Sequence, residues 1–316
     1  MAVASNMVLR RALLYVPASS PRMLIKSLAL TCDNITYDLE DSVAYDLKPE
    51  ARYALREHLS QDLSTRKNVG EFAVRVNQVG TPLVDEDIAT FAALPNVSAI
   101  VVPKIHSAAH MEYAAQAVTH YSSSRDKPPK ILALIESARG IMNLREICAA
   151  SPQLLDGLIF ASEDFTADTG VQRSPELREM LYARSAIVTA GHAAKLTSII
   201  DLVCTSYKGK DWKKVLQRET ENGKAMGFNG KQCIHPDQVD RVQPLFVPTP
   251  AELEWAVRIT IADKKAAEAG RGAWSFHNVM VDRPVVLRAE AIIEKAKRCD
   301  LDLRKLKEKW KDQEPT

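Results

Sequence analysis

The sequence predicts a (β/α)8 TIM barrel followed by a C-terminal helical extension. Three observations carry that reading. Eight short apolar, β-branched runs lack the polar alternation of a half-exposed sheet, as parallel strands buried on both faces do. Amphipathic stretches of helical period separate these runs. Charged residues follow the runs directly, where a barrel of this kind keeps its chemistry. A doubly wound open sheet is the alternative that the same alternation allows.

In chain order the predicted strands are Ala12–Val16, Ile35–Leu39, Phe72–Val76, Ala99–Val102, Ile131–Ile135, Gly157–Phe160, Ser198–Val203 and Gln232–Ile234. The predicted helices are Pro21–Leu30, Pro49–Leu59, Val84–Leu94, Ala108–His120, Gly140–Ala150, Pro175–Leu196 and Asp211–Met226, with Pro236–Val242 as a short eighth. Several open on proline, whose missing N–H costs nothing in a first helical turn. The polar stretch Ser122–Lys130 reads as a loop at the closed end of the barrel.

Beyond Phe246 the pattern changes. Pro248-Thr249-Pro250 breaks the chain, and a helix is predicted over about Ala251–Ala269. Gly270–Pro284 reads as loop, with Trp274 and Phe276 in it, and a strongly basic helix is predicted over about Val285–Trp310. A closed barrel does not require this segment. The chain is therefore divided into a barrel over residues 1–247 and an extension over 248–316, in which 270–284 serves as a lid.

Composition excludes several classes. Forty-two Lys and Arg against 40 Asp and Glu leave a net charge of +2, which gives no case for broad nucleic-acid or membrane-surface binding. No apolar run approaches the ~18 residues of a membrane span. Cys32, Cys148, Cys204, Cys233 and Cys299 form no C-x-x-C pair and read as reduced, mostly buried thiols of an intracellular protein. Met1–Leu14 carries Arg10 and Arg11 and no acid, but Arg11 leads into the first strand, so neither a transit peptide nor a secretory signal is predicted.

The residues that end each strand are the site candidates. They are Pro17 to Arg22 after the first run, Glu40 and Asp41 after the second, and Arg75 with Asn77 at the third. Lys104, Glu136 to Gly140, Glu163 with Asp164, and His235 follow the later runs. Carboxylates crowded in this way repel one another unless a cation or protons intervene. Oxygen ligands from one or two carboxylates, completed by water and substrate, suit Mg2+. Arg75 offers a planar fork for a carboxylate or carbonyl. Structural ion pairs at the barrel mouth are the plainer alternative. Lys104 suits a Schiff base, or a contact to Glu40 or Glu136. His106 and His110 have the i, i+4 spacing of a zinc pair without the intervening Glu and read as surface helix residues. Gly223, Gly227 and Gly230 lack dinucleotide-binding spacing, and Gly227 reads as a helix end.

Several segments together resemble the citrate lyase beta-subunit family, within the HpcH/HpaI aldolase superfamily. They are Arg11-Ala-Leu-Leu-Tyr-Val-Pro17, Asp38-Leu-Glu-Asp41, Val74-Arg-Val-Asn77, Ile135-Glu-Ser-Ala-Arg-Gly140 and Ser162-Glu-Asp-Phe165. Ile200-Asp-Leu-Val203, Gly227-Phe-Asn-Gly-Lys-Gln-Cys-Ile-His-Pro236 and Met280-Val-Asp-Arg-Pro284 continue the match in one order. The family includes malyl-CoA and citramalyl-CoA lyases, and the resemblance extends to the citrate lyase beta-like proteins of eukaryotes.

The resemblance implies a barrel with a helical extension, assembled as a homotrimer or a dimer of trimers. By the same resemblance, Glu136 and Asp164 hold Mg2+, Arg75 binds the oxo acid, and Glu40 and Asp41 orient the site. Arg22 and Lys26 meet the phosphates of coenzyme A, and Asp282 reaches a neighbouring subunit's site as acid or base. The implied substrates are a CoA thioester and a small 2-oxo acid, pyruvate or glyoxylate, with malate synthase chemistry if the thioester is hydrolysed. The implied compartment is the cytosol or the mitochondrial matrix. Pro17-Ala18 departs from the family's Pro-Gly, and Cys204 to Gly209 replaces a stretch that often carries an aspartate. A CoA-free oxo-acid aldolase and a silent assembly or RNA-binding barrel are the competing readings; the latter draws on the basic run Lys295–Lys311.

Overall fold

The computed structural model describes residues 8–124 and 126–315; residues 1–7 of the N-terminal stretch and Arg125 of the predicted polar loop lie outside the described residues. Eight parallel strands close into one barrel in chain order: β1 Ala12–Pro17, β2 Cys32–Asp38, β3 Val69–Arg75, β4 Ala99–Val102, β5 Lys130–Ile135, β6 Leu155–Phe160, β7 Ser198–Asp201 and β8 Gly230–Cys233. The sheet closes where Leu13 pairs with Gln232, so the open-sheet alternative is excluded. β2 and β3 start earlier than their apolar runs, because Cys32, Asn34, Val69 and Glu71 all pair across the ladder.

The helices are α1 Pro21–Ser27, α2 Lys48–Leu59, α3 Val84–Ala92, α4 Ala108–Tyr121, α5 Ala138–Met142, α6 Leu144–Ala150, α7 Ser162–Thr169, α8 Leu181–Ala193, α9 Trp212–Met226 and α10 Pro236–Leu245. The predicted helix over 140–150 is two helices, with the chain broken at Asn143. α7 has no counterpart among the predicted helices. It is short and acidic at its start, and only Ser162 and Phe165 are buried, so it carries no apolar stripe to announce it. α9 ends at Gly227, whose φ of +108° only glycine adopts without strain.

Contacts divide the chain into two compact units, one up to Pro244 and the other from Leu245. The barrel interior is filled by Leu13, Ala73, Ala99, Val101, Leu132, Leu134, Ile159 and Ile200. The end of the barrel away from the site is sealed by ions: buried Arg10 meets Glu71 at 2.6 Å and Asp156 at 2.5 Å. Arg10 is thus a structural residue.

The second unit holds α11 Pro250–Glu268, strands β9 Trp274–Phe276 and β10 Val279–Val281, α12 Arg283–Arg298 and α13 Arg304–Lys309. Its own core includes Val257, Ile259, Trp274, Val281, Val286 and Ile293. Thr249 opens α11 with a capping box to Glu252. Two expectations change here. The 270–284 segment is an antiparallel hairpin anchored by Trp274 and Val281, turning at His277 and Asn278. The basic helix over 285–310 is broken at residues 299–303, where Cys299 caps α12 and Asp300 takes a left-handed φ of +54°. No helix among the described residues is long and apolar enough to cross a membrane.

Candidate active site

Side chains on a strand alternate with a period of two, so the inward row of each strand names what reaches the mouth of the barrel. On β3 the row runs Ala73, Arg75, and on β5 it runs Leu132, Leu134, Glu136. On β2 it is polar throughout, Asn34, Thr36, Asp38, and all three are buried. Asp38 and Arg75 are direct register partners. The sequence therefore delivers an arginine and a set of acids to one rim.

Arg75 spends one edge of its fork on Asp38, with Nε to Oδ1 and Nη2 to Oδ2 both at 2.7 Å. Its Nη1 lies 3.2 Å from Glu40 and 3.4 Å from Asp41, and the guanidinium sits 4.8 Å over the Tyr15 ring. Burial alone would raise the Asp38 pKa, but Arg75, with hydrogen bonds from Ser42 and the Glu40 amide, more than offsets it and holds the carboxyl below its usual range. The expected open fork is thus half committed. In the sequence Asp38 stands in a motif without a role; its register against Arg75 supplies one.

Glu40 is buried and receives Lys104 Nζ at 2.7 Å. Burial and the neighbouring Asp41 push its pKa up to about 7, against the pull of Arg75 and Lys104. Burial alone would lower the Lys104 pKa, but Glu40, joined by Asp41 and Glu136, outweighs it and keeps the ammonium charged. That is unfavourable for a Schiff-base amine. Lys104 also holds a left-handed φ of +53°, a strained geometry for a side-chain-bearing residue. Asn77 is structural: it donates to Asp87 at 2.6 Å and accepts from Lys48, which in turn clamps the Leu39 and Glu40 carbonyls.

Glu136 is the most exceptional group. Only 3% of it is exposed, and neither carboxylate oxygen has a hydrogen-bond partner. Burial, then the charge of Asp164, then that of Glu40 push its pKa up to about 8, against the pull of the Lys104 backbone N–H and of Arg75. Asp164, half-buried in the first turn of α7, therefore acts on Glu136 electrostatically, while the next residue, Ser137, caps α5 by accepting the Gly140 amide.

A cavity of about 380 Å3 opens at this rim, lined by Tyr15, Asp38, Asp41, Arg75, Glu163 and Asp164 on its polar side and by Leu134, Ala161, Val203 and Ile234 on its apolar side. A second cavity, of about 650 Å3, is lined by Arg22, Lys26, Met23, Ser20 and His235. The two share Tyr15, Pro17 and Ile234. Arg22 and Lys26 are exposed on α1. A larger groove of about 700 Å3 between α5–α6 and α8 touches none of the strand-end residues.

Asp282 lies in the second unit, half-buried, where its Oδ1 accepts the Val285 amide at 3.4 Å as the N-cap of α12. His106 and His110 are not free surface residues. His106 Nδ1 lies 2.7 Å from Ser137 Oγ, its carbonyl takes Asn143, and the His110 ring sits 5.6 Å from its own. Sequence reasoning missed Arg173, which binds four groups at the rim; it stands in a loop and no periodicity marks it.

The chain is similar to known proteins over most of its length. The chain is 33% identical over 297 residues to the mitochondrial citramalyl-CoA lyase of Rattus norvegicus, covering 90% of this chain and 85% of that one. It is 33% identical over 295 residues to citrate lyase subunit beta of Leuconostoc mesenteroides subsp. cremoris, covering 92% and 95%. The structure of the CitE protein of Mycobacterium tuberculosis in complex with magnesium, acetoacetate and coenzyme A superposes with a TM-score of 0.73 at 30% identity, covering 92% of this chain and 99% of that one. The HpcH/HpaI aldolase/citrate lyase model matches residues 11–236, which spans the barrel from β1 to the start of α10, and the chain belongs to that family.

Proposed function

We propose that the protein is a Mg2+-dependent lyase that cleaves a 3-hydroxyacyl-CoA, citramalyl-CoA or malyl-CoA, between Cα and Cβ. The products are acetyl-CoA and a 2-oxo acid, pyruvate or glyoxylate, and the reverse condensation runs at the same site. The observation that carries this reading is the bare, buried carboxylate of Glu136 beside the charge of Asp164. The substrates and ligands named for the compared proteins support it.

A buried anion without a partner is costly, and it keeps a proton or takes a cation. Glu136 and Asp164 would hold Mg2+, with water and substrate completing the ligands. No group of three or more His, Cys, Asp or Glu able to cage a metal occurs among the described residues, and Mg2+ needs only one or two carboxylates. The chemistry the ion supplies when bound is Lewis-acid polarisation of the oxo-acid carbonyl.

The chain's own residues do the rest. Arg75, locked by Asp38, would stabilise the oxygen that gains negative charge through its Nη1 edge, which lies 3.2 Å from Glu40. Glu40 and Asp41 hold that edge in place and fix Lys104. Arg22 and Lys26 bind CoA phosphates in the larger cavity, and the shared wall of Tyr15, Pro17 and Ile234 leads the thioester into the smaller one. Asp282 moves the proton at the thioester Cα, acting in the site of a neighbouring copy, so the working unit is an oligomer, and the family resemblance makes it a homotrimer or a dimer of trimers. The exposed apolar residues around it, Val279, Met280 and Leu287, support a buried position in such an assembly. Hydrolysis of the thioester after condensation would make the net reaction that of a malate synthase. The free thiols suit a reducing compartment, cytosol or mitochondrial matrix.

The test is an assay of purified protein with citramalyl-CoA, malyl-CoA, and acetyl-CoA plus glyoxylate, each with Mg2+ and with EDTA. Release or consumption of the oxo acid should require both the thioester and the metal. Turnover that survives EDTA, or that proceeds on free hydroxy acids without CoA, would sink the reading.

A further inference from the structure

Two carboxylates, Glu163 and Asp164, stand next to each other at the start of α7, and both line the 380 Å3 cavity. Nothing in their chemistry says which one faces a metal. The loop after the helix decides it. Gly170 ends α7 in a left-handed turn, the chain comes back, and Arg173 reaches across the start of the same helix.

Its guanidinium makes four bonds. Nη1 donates to Glu163 Oε1 at 2.5 Å and to Ser162 Oγ at 3.2 Å. Nη2 donates to the Val203 carbonyl at 2.9 Å and to Glu219 Oε1 at 3.0 Å. Glu219 on α9 is itself buried and takes Lys231 Nζ at 3.4 Å, and Lys231, fully buried, donates to the Leu202 carbonyl at 2.9 Å. The anchor of Arg173 is therefore rigid, tied to the end of β7 and to α9. Glu163 is neutralised and held at that anchor, while Asp164 is left to act on Glu136.

From this geometry we infer that Arg173 is a positioning residue that holds Glu163 off the metal, so that a coordination place stays open for the oxo acid. The inference rests on the metal reading of Glu136 and Asp164. Three carboxylates around a divalent cation bind it more tightly but leave fewer places for substrate. A site that must exchange substrate is better served by two, and a third carboxylate one residue away needs a restraint.

Mn2+ binding, followed by electron paramagnetic resonance and by calorimetry, provides the test, with steady-state kinetics in the condensation direction beside it. Arg173→Gln frees Glu163. It should bind Mn2+ about tenfold more tightly, as an added anionic ligand does, and show a raised KM for the oxo acid. Arg173→Gln combined with Glu163→Gln should return both quantities toward wild type. Arg173→Lys keeps a cation beside Glu163 and should bind Mn2+ as wild type does, which keeps the test usable if Arg173→Gln does not fold. A merely structural arginine predicts weaker Mn2+ binding that the second substitution does not rescue, and that result would overturn the inference. If Mn2+ binding is lost in Glu136→Gln but unaltered in Arg173→Gln, the role of Arg173 falls and the metal reading stands. A wild-type protein that binds no Mn2+ overturns both.

Discussion

Asp38 meets Arg75 with both of its oxygens, each at 2.7 Å, across adjacent strands in direct register. The pair fixes a cation at the rim that Glu40 and Asp41 also face, and it leaves the Nη1 edge toward them. Bidentate carboxylate–guanidinium pairing is directional as well as strong. An arginine so held keeps its orientation without reorganising when charge develops in front of it.

Asp38→Asn tests this arrangement. It keeps the shape but removes the charge and one acceptor. Turnover is expected to fall on the order of 10²-fold, the cost of a misplaced group, with the KM for the thioester nearly unchanged. Arg75→Lys keeps a charge and loses the fork, and should lose as much. Steady-state kinetics decide both: full activity in Asp38→Asn would make the lock dispensable, and full activity in Arg75→Lys would remove the Arg75 fork from the chemistry.

Much of this rim was legible in the sequence, because a barrel strand ends where its apolar run ends. Arg75, Glu136 and the Glu40-Asp41 pair follow from that rule alone. What escaped depends on register or on tertiary contact. Asp38 reads as one acid of a motif until the ladder sets it opposite Arg75. Arg173 lies outside any periodic element, and its four partners come from α7, the end of β7 and α9. His106 looks like a helix residue, yet it precedes α4 and is drawn in by Ser137. The hairpin of β9 and β10 reads as loop because three-residue strands carry too short an alternation to detect.

The coenzyme A assignment makes a separable prediction. Arg22 lines the larger cavity, away from the carboxylates that surround Arg75. Arg22→Ala should raise the KM for the CoA thioester about tenfold and leave kcat within a factor of about two, the pattern of lost uniform binding. The effect should shrink at high ionic strength, since the contact is between exposed charges. An unchanged KM would show that the phosphates bind elsewhere.

The proposed metal site predicts an unusual pH dependence of stability. Glu136, with a folded-state pKa pushed up to about 8 by burial, Asp164 and Glu40, keeps a proton in the native state that the unfolded chain gives up at its ordinary carboxylate pKa. Between those values the native state binds more protons than the unfolded one, so stability falls as pH rises. Without metal, the melting temperature should therefore decline from about pH 5 to about pH 8. Mg2+ should bind more strongly over the same interval, because less proton is left to displace. Glu136→Gln should flatten the metal-free profile and abolish the Mg2+ effect, and Asp164→Asn should weaken that effect. Thermal unfolding with EDTA and with Mg2+ at a series of pH values is the measurement, and a Mg2+ increment that persists in Glu136→Gln would relocate the metal.

Asp282 gives the prediction that reaches beyond one chain. It comes directly after the β9–β10 hairpin and caps α12, so its backbone position is fixed by Trp274 and Val281 in the core of the second unit. A cap alone needs no partner, and Asp282→Asn, which caps nearly as well, should leave the melting temperature within about 2 °C. If the carboxyl group serves only the helix, activity should survive that change. If it transfers the proton in a neighbouring copy, Asp282→Asn should be nearly inactive, and the loss should be repairable in trans. Mixing Asp282→Asn with Glu136→Gln under conditions of subunit exchange brings an intact Asp282 to an intact metal site at some interfaces. In a randomly exchanged trimer those interfaces are a minority, so activity should recover to a fraction of wild type and not to its whole. Recovery that tracks exchange, followed by native mass spectrometry, places Asp282 across the interface. Inactivity that persists after complete exchange confines it to its own chain, and the exposed edge of Val279 and Met280 would then need another explanation.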